Sequence, residues 1–263
     1  MYFSWKLHRL ARRSRSTHPR SQFTMEKKIT ILKMGSLYPA LEQRRGSFED
    51  YILKGMGINK DQALIPWVYR GDDLPAYEQI SGVIITGSLA MVSDRLDWSE
   101  KAAKWLAGAV HRRIPTLGIC YGHQLLAHAL GGEAANNPKG WEVGTVNIYL
   151  PPQAAHDPLF NTLPLSFPQH VFHRQSALSL PPGATLLASS ALDPHHAFVV
   201  DGCAWGVQFH PEFDREIQIF NIEQERKMLI QQGLDPENLL ATLQECPTGP
   251  ILLEKFAKLC LVK

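Results

Sequence analysis

The stretch PTLGICYGHQLLAHALGG, residues Pro115 to Gly132, sets a cysteine between two glycines where an apolar run meets a helical pattern. Gly118 and Gly122 stand two residues to either side of Cys120, the spacing of a nucleophile elbow. In so tight a strand–turn–helix, a side chain at either glycine would collide with neighbouring backbone. Such a turn lifts the Cys120 sulfur above the strand ends, where open α/β sheets bind ligands. The helix that starts beside it aims free N–H groups and its positive dipole end at the sulfur, which favours the reactive thiolate. The Tyr121 N–H would supply half of an oxyanion hole. Buried packing explains a glycine-flanked cysteine equally well. A base is needed to decide.

Of eleven histidines, His210 in GVQFHPEF has the most telling context. It closes a strand that Pro211 stops, and Glu212 follows two residues later on the same side of extended chain. A carboxylate there can accept a hydrogen bond from one imidazole nitrogen and fix the tautomer, leaving the other nitrogen for the sulfur. Cys120, His210 and Glu212 then read as nucleophile, base and orienter. His123 is expected to pack or cap at the start of its helix. His173, on a strand, is the rival for a place in the pocket. His195 and His196 are neighbours and point to opposite faces of an extended chain. With no further Cys/His cluster at ligand spacing, neither a metal nor a cofactor is expected.

The rest of the chain supplies a scaffold for that elbow. KITILKMG reads as a strand, SFEDYILKGMG as a helix capped by Ser47, and ALIPWVY as a strand weakened by Pro66. SGVIITGS is a buried strand running into a glycine turn. SEKAAKWLAGAVHRR has helical spacing with Ser99 as cap, and PTLGI is a further strand. Strands alternating with helices predict a doubly wound, mostly parallel α/β sheet flanked by helices. The second half holds strand-like WEVGTVNIYL, QHVFHRQSAL and ATLLASSAL. A hairpin follows around Asp201–Gly202, then helical REIQIFNIEQERKMLIQQG, DPENLLATLQE and GPILLEKFAKLCL.

Net charge is +2, but residues 1–24 carry six Lys and Arg and no acid, so the remainder stands at −4. A basic nucleic-acid surface is therefore not a property of the globular part. The segment 1–24 is expected to be a disordered or misassigned leader, with an organellar transit peptide as the lesser reading. Residues 25–263 are expected to form one domain. No apolar stretch approaches the roughly 18 residues of a spanning helix. Four cysteines without a C-x-x-C pair suit a reducing, cytoplasmic compartment. Cys203, Cys246 and Cys260 are expected to pack.

GICYGHQLLAHALGG and GVQFHPEF together resemble the class I glutamine amidotransferases, and VIITGSLAMVSD resembles the loop that completes their oxyanion hole. FHRQSALSLPPGA and DPHHAFVV are similar to the stand-alone members that look like the amidotransferase domain of GMP synthase. The resemblance runs in order from about Ile29 to Phe213. It implies a flavodoxin-like fold that hydrolyses the glutamine side-chain amide through a γ-glutamyl thioester on Cys120, with His210 and Glu212 completing a triad. It places the oxyanion between the N–H groups near Gly87 and Tyr121. It assigns substrate contacts to Gln124 and to the segment His173, Arg174 and Gln175. Two departures bear on specificity: the usual double-glycine-proline loop is Thr86-Gly87-Ser88, and the usual His-Gly pair is His173-Arg174.

Such enzymes hand ammonia to a synthase. About fifty residues follow Glu212, too few for an ATP-dependent acceptor domain, so a separate acceptor subunit is expected. Without an acceptor the same triad would suit a γ-glutamyl peptidase acting on glutathione-like compounds. A catalytically silent regulatory subunit is the reading from a different class. Neither nucleic acid nor membrane is expected as a partner.

Overall fold

The computed structural model describes Met1 and residues 27–261; the expected leader, Met1 apart, lies outside the described residues. The chain begins with β1 (Lys28–Leu32), α1 (Pro39–Arg45), α2 (Phe48–Met56), β2 (Ala63–Leu64) and β3 (Ile80–Ile85). There follow α3 (Asp97–His111), β4 (Thr116–Ile119), α4 (Tyr121–Ala129), β5 (Glu133–Asn136) and β6 (Glu142–Tyr149). Next come β7 (Ser166–His173), β8 (Gln175–Ser179), β9 (Thr185–Ala188), β10 (Ala197–Val200) and β11 (Ala204–Val207). Four helices end the described chain: α5 (Arg215–Gln224), α6 (Arg226–Gln231), α7 (Pro236–Ala241) and α8 (Thr248–Leu261).

Seven strands form the main sheet in the order β2-β1-β3-β4-β11-β10-β9. The pairings from β2 to β11 are parallel, and β10 and β9 add antiparallel partners at one edge. Alternation along the strands divides the core between two faces. Ile29, Ile31, Ile84 and Leu117 pack with Ile52 and Leu53 of α2 and with Leu252 and Phe256 of α8. Leu32, Val83 and Ile85 pack instead with Leu106 of α3 and with Tyr121 and Leu125 of α4. Both faces of the sheet are thereby covered, as parallel strands require. Two antiparallel ribbons, β5 with β8 and β6 with β7, stand beside this sheet.

The hairpin expected at Asp201–Gly202 forms between β10 and β11, with φ of 52° and 61° at the two turn residues. Both positive values suit a type I′ turn, closed by the Cys203 N–H on the Val200 carbonyl at 3.1 Å, and the pairing of Val200 with Ala204 leaves Cys203 as an extra loop residue. Ser47 caps α2, its N–H bonding back to Asp50. Other expectations need correction. Helix α3 starts at Asp97, not after Ser99, because the buried Ser99 hydroxyl pairs with the Tyr121 hydroxyl at 2.6 Å. ALIPWVY keeps only two strand residues before Pro66 and then coils into a short 3-10 turn at Val68–Arg70. QHVFHRQSAL is two strands in different ribbons, broken at Arg174, and the long helical run after HPEF breaks at Glu225 into α5 and α6. Helix α1, too short to show a periodic signal, was not expected. No described helix is long and apolar enough to cross a membrane.

Candidate active site

Strand order brings the candidate residues together. β3, β4 and β11 are adjacent and parallel, so their carboxyl ends open on the same edge. Gly87 follows β3, Cys120 follows β4 and His210 follows β11. This is the edge at which open α/β sheets take ligands.

At the elbow, Cys120 has φ 52° and ψ −102°, a strained conformation for a residue with a side chain. Its surroundings hold it there. The Cys120 N–H donates to the Val207 carbonyl at 2.9 Å, and the Gln124 N–H donates to the Cys120 carbonyl at 3.1 Å. A Cβ at Gly118 would overlap the Gly122 carbonyl, and one at Gly122 would overlap the Ile85 carbonyl. Both glycines are therefore required by backbone contact. The N–H groups of Tyr121 and Gly122 precede the first intrahelical bond of α4, so no helical carbonyl takes them.

The His210 N–H donates to the His170 carbonyl of β7 at 2.9 Å, and its Nδ1 lies 2.8 Å from Glu212 Oε1. The ring is stacked on Phe213 with centroids 3.9 Å apart and planes within 3°. Phe48 lies nearly parallel at 6.4 Å. A Cβ on Gly87 would come within 3.1 Å of His210 Cε1, so the backbone at Gly87 lies close against the ring. Burial alone would push the His210 imidazole down, but the charges and hydrogen bonds of Glu212 and Cys120 outweigh it and hold it well above its ordinary value.

Cys120 stands between two cavities. A narrow one of about 30 Å³ holds it with His210, Phe48 and Phe213. A wider one of about 290 Å³ is lined by Cys120, Tyr121, Gln124, His173, Arg174 and Gln175, with Trp141, Phe172 and Met228 as apolar wall. His210 thus lies on one side of Cys120, and the wider cavity opens on the other. Gln124 Nε2 donates to the Gln175 carbonyl at 2.7 Å and to Gln208 Oε1 at 3.0 Å. Two acceptors at one atom fix the amide orientation and leave Oε1 for a donor in the cavity. His173 is buried, with both ring nitrogens bonded internally, to the Gln175 carbonyl and to Glu142. Its ring therefore offers no free nitrogen to a ligand. Arg174 is exposed at the cavity edge.

His123 is fully buried against Phe198, and burial pushes it down to about 3, so it packs as a neutral ring. Cys203, Cys246 and Cys260 are buried too, and burial pushes each thiol up. His195 and His196 do part company, to the Ala177 carbonyl and to Glu142. His196 nevertheless joins His173 and Glu142 in a group whose ligand atoms lie within 4.8 Å of one another. That group joins residues 31 and 54 positions apart, a separation with no signal in the chain. Trp141, Phe172 and Met228 on the cavity wall and Phe48 beside the His210 ring carry no local signal in the sequence; Phe213 is legible only as a neighbour of the HPE triplet.

A family model for glutamine amidotransferase class-I matches residues 54–222. A GMP synthase of Thermosipho africanus is 31% identical over 186 residues, 70% of this chain but 32% of that protein. The chain thus spans about a third of that relative's length. Gamma-glutamyl peptidase 3 of Arabidopsis thaliana is 27% identical over 192 residues, covering 71% of this chain and 75% of the relative. A glutamine amidotransferase crystal structure from Thermotoga maritima superposes with a TM-score of 0.71 over 90% of this chain and 99% of that one, at 20% identity, which speaks for the fold alone.

Proposed function

The chain belongs to the class I glutamine amidotransferases, and from that membership we propose that it hydrolyses a γ-glutamyl amide through Cys120, His210 and Glu212. The Cys120 thiolate attacks the amide carbon, and the N–H groups of Tyr121 and Gly87 take the developing oxyanion. The C–N bond breaks as His210 delivers its proton to the leaving nitrogen, leaving a γ-glutamyl thioester. His210 then removes a proton from water, the hydroxide displaces sulfur, and the acid is released. Glu212 keeps the imidazole in one orientation and stabilises its charged form.

The observation that carries this reading is the buried His210–Glu212 bond at the cavity that also holds Cys120. With glutamine as donor the products are glutamate and ammonia, the latter passing to a separate synthase-type subunit. Intact-mass analysis after mixing the protein with glutamine tests it: a γ-glutamyl adduct that vanishes in Cys120→Ala is expected. Absence of any adduct, together with no labelling by a glutamine-mimicking electrophile, would favour a silent regulatory subunit.

A second donor class has its own support. The wider cavity continues past Cys120 to Trp141, Phe172 and Met228, with Arg174 at its edge. An apolar wall and a cation suit the leaving portion of a γ-glutamyl peptide better than ammonia. Fast release from γ-glutamyl peptides with negligible ammonia from glutamine would decide for the peptidase reading.

A further inference from the structure

The narrow cavity that Cys120 and His210 share measures about 30 Å³, room for about one or two water molecules. Its wall is largely apolar, with Phe48, Phe172 and Phe213 among the liners, and Asn221 of α5 lines it as well. Of the other polar liners, the Tyr38 hydroxyl donates to Glu225 at 2.6 Å, and the Ser88 hydroxyl accepts the Ala90 N–H at 3.1 Å. Asn221 is only 4% exposed, and its Oδ1 has no hydrogen-bond partner among the described residues. A buried acceptor without a donor is uncommon in a folded protein and points to a guest that carries one.

The fold fixes this amide relative to the imidazole. Asp214 caps α5 by accepting the Ile217 N–H at 3.0 Å, and Arg45 of α1 pairs with Asp214 at 2.6 Å. One turn along, Gln218 Nε2 donates to the Val171 carbonyl of β7 at 2.9 Å. Asn221 follows Gln218 by three residues, which puts both on one face of the helix. The same strand supplies the His170 carbonyl that takes the His210 N–H. Helix α5 and His210 thus lean on a common support.

In the second half of the proposed reaction, water must meet the thioester carbon with one O–H directed at the free nitrogen of His210. Its other O–H then needs an acceptor, and a lone pair remains for the carbon. We propose that Asn221 Oδ1 is that acceptor, which makes Asn221 a catalytic residue that holds the hydrolytic water beside Cys120 and His210. The O–H bond facing His210 breaks as the oxygen bonds to the acyl carbon. The C–S bond then breaks, sulfur leaves as thiolate, and the released acid retains the hydrogen that faced Asn221. This assignment rests on the γ-glutamyl reading above, but holds for either donor class. Its weight falls on hydrolysis rather than acylation. A leaving nitrogen arrives tethered to the donor, whereas water gains its orientation only from the groups it bonds.

Two variants disturb packing in opposite senses: Asn221→Leu keeps the bulk without the acceptor, and Asn221→Ala removes both. The full chains are mixed with glutamine or with γ-glutamylalanine, quenched in acid at intervals and followed by intact mass. In both variants the Cys120 adduct is expected to form within about threefold of the wild-type rate and to decay on the order of 10–100-fold more slowly. Hydroxylamine, a stronger nucleophile than water, is expected to discharge the adduct at similar rates in all three proteins. Iodoacetamide alkylation of Cys120 and the thermal unfolding midpoint should stay near wild type. Adduct decay at the wild-type rate in either variant overturns the proposal. So does a parallel fall in adduct formation and decay, which marks a structural role. A wild type that forms no adduct with either donor overturns the γ-glutamyl reading and this proposal with it, whereas wild-type turnover with unchanged decay in the variants overturns the proposal alone.

Discussion

His210 Nδ1 and Glu212 Oε1 are 2.8 Å apart, although the two residues are separated by a single proline. The short extended turn folds the carboxylate back under its own histidine and leaves the far nitrogen free for Cys120 in the narrow cavity. Both side chains are almost wholly removed from water, at 4% and 0% exposure, so their attraction is little screened. The second Glu212 oxygen has no partner, which makes the imidazole the sole recipient of that charge among the described residues.

Glu212→Gln should therefore act through charge rather than shape. The amide oxygen can still accept from Nδ1, but it no longer stabilises the imidazolium. A loss in kcat on the order of 10²–10⁴-fold, with KM little changed, is expected in single-turnover and steady-state assays with a γ-glutamyl donor. A variant at full rate would remove Glu212 from the mechanism.

Two histidines should bend the stability profile in opposite directions. His210 is raised in the folded state, so its contribution is complete below the unfolded value of about 6.5 and is lost as pH climbs through the folded value. His123 is pushed down to about 3 by burial, so its contribution is complete above the unfolded value and is lost as pH falls toward 3. Urea unfolding across pH should show His123→Leu taking up about one proton fewer on unfolding near pH 5. Equal slopes would contradict a neutral buried ring.

The elbow leaves no room for a methyl group. Gly122→Ala must displace the Ile85 carbonyl, a backbone atom that cannot rotate away, so a loss of about 1–3 kcal/mol is expected in urea unfolding. Alkylation of Cys120 should slow in parallel as the helix start moves off the sulfur. Wild-type stability in this variant would show that the turn is looser than the contact implies.

Arg174 carries no ion pair among the described residues and lies at the cavity edge. If it receives the carboxylate of a γ-glutamyl peptide, Arg174→Ala should lower kcat/KM for such peptides about tenfold while altering glutamine less. An equal effect on both donors would place the guanidinium at the shared γ-glutamyl moiety instead.

Much of the architecture was readable because it is written locally. The elbow glycines, the hairpin at Asp201–Gly202 and the cap at Ser47 each depend on residues within a few positions, where sterics and hydrogen bonding act without help from the rest of the chain. Ser99 misled for the same reason: as a cap it looked sufficient, but its hydroxyl was claimed by Tyr121, 22 residues away. The break at Arg174 was hidden because both halves carry the same β-favouring residues, and only their separate partners, β6 and β5, divide them.

Sequence alone determined which residues are candidates for the proposed chemistry: a sulfur set between two glycines, and an imidazole with a carboxylate two positions on. Tertiary structure decided what stands around them. The order of β3, β4 and β11 gathered Gly87, Cys120 and His210 at one edge, and pairing of β6 with β7 brought Glu142 to His173. Side-chain chemistry is fixed by covalent identity, whereas proximity across tens of residues is set by how strands and helices bury their apolar faces, which no short stretch of sequence encodes.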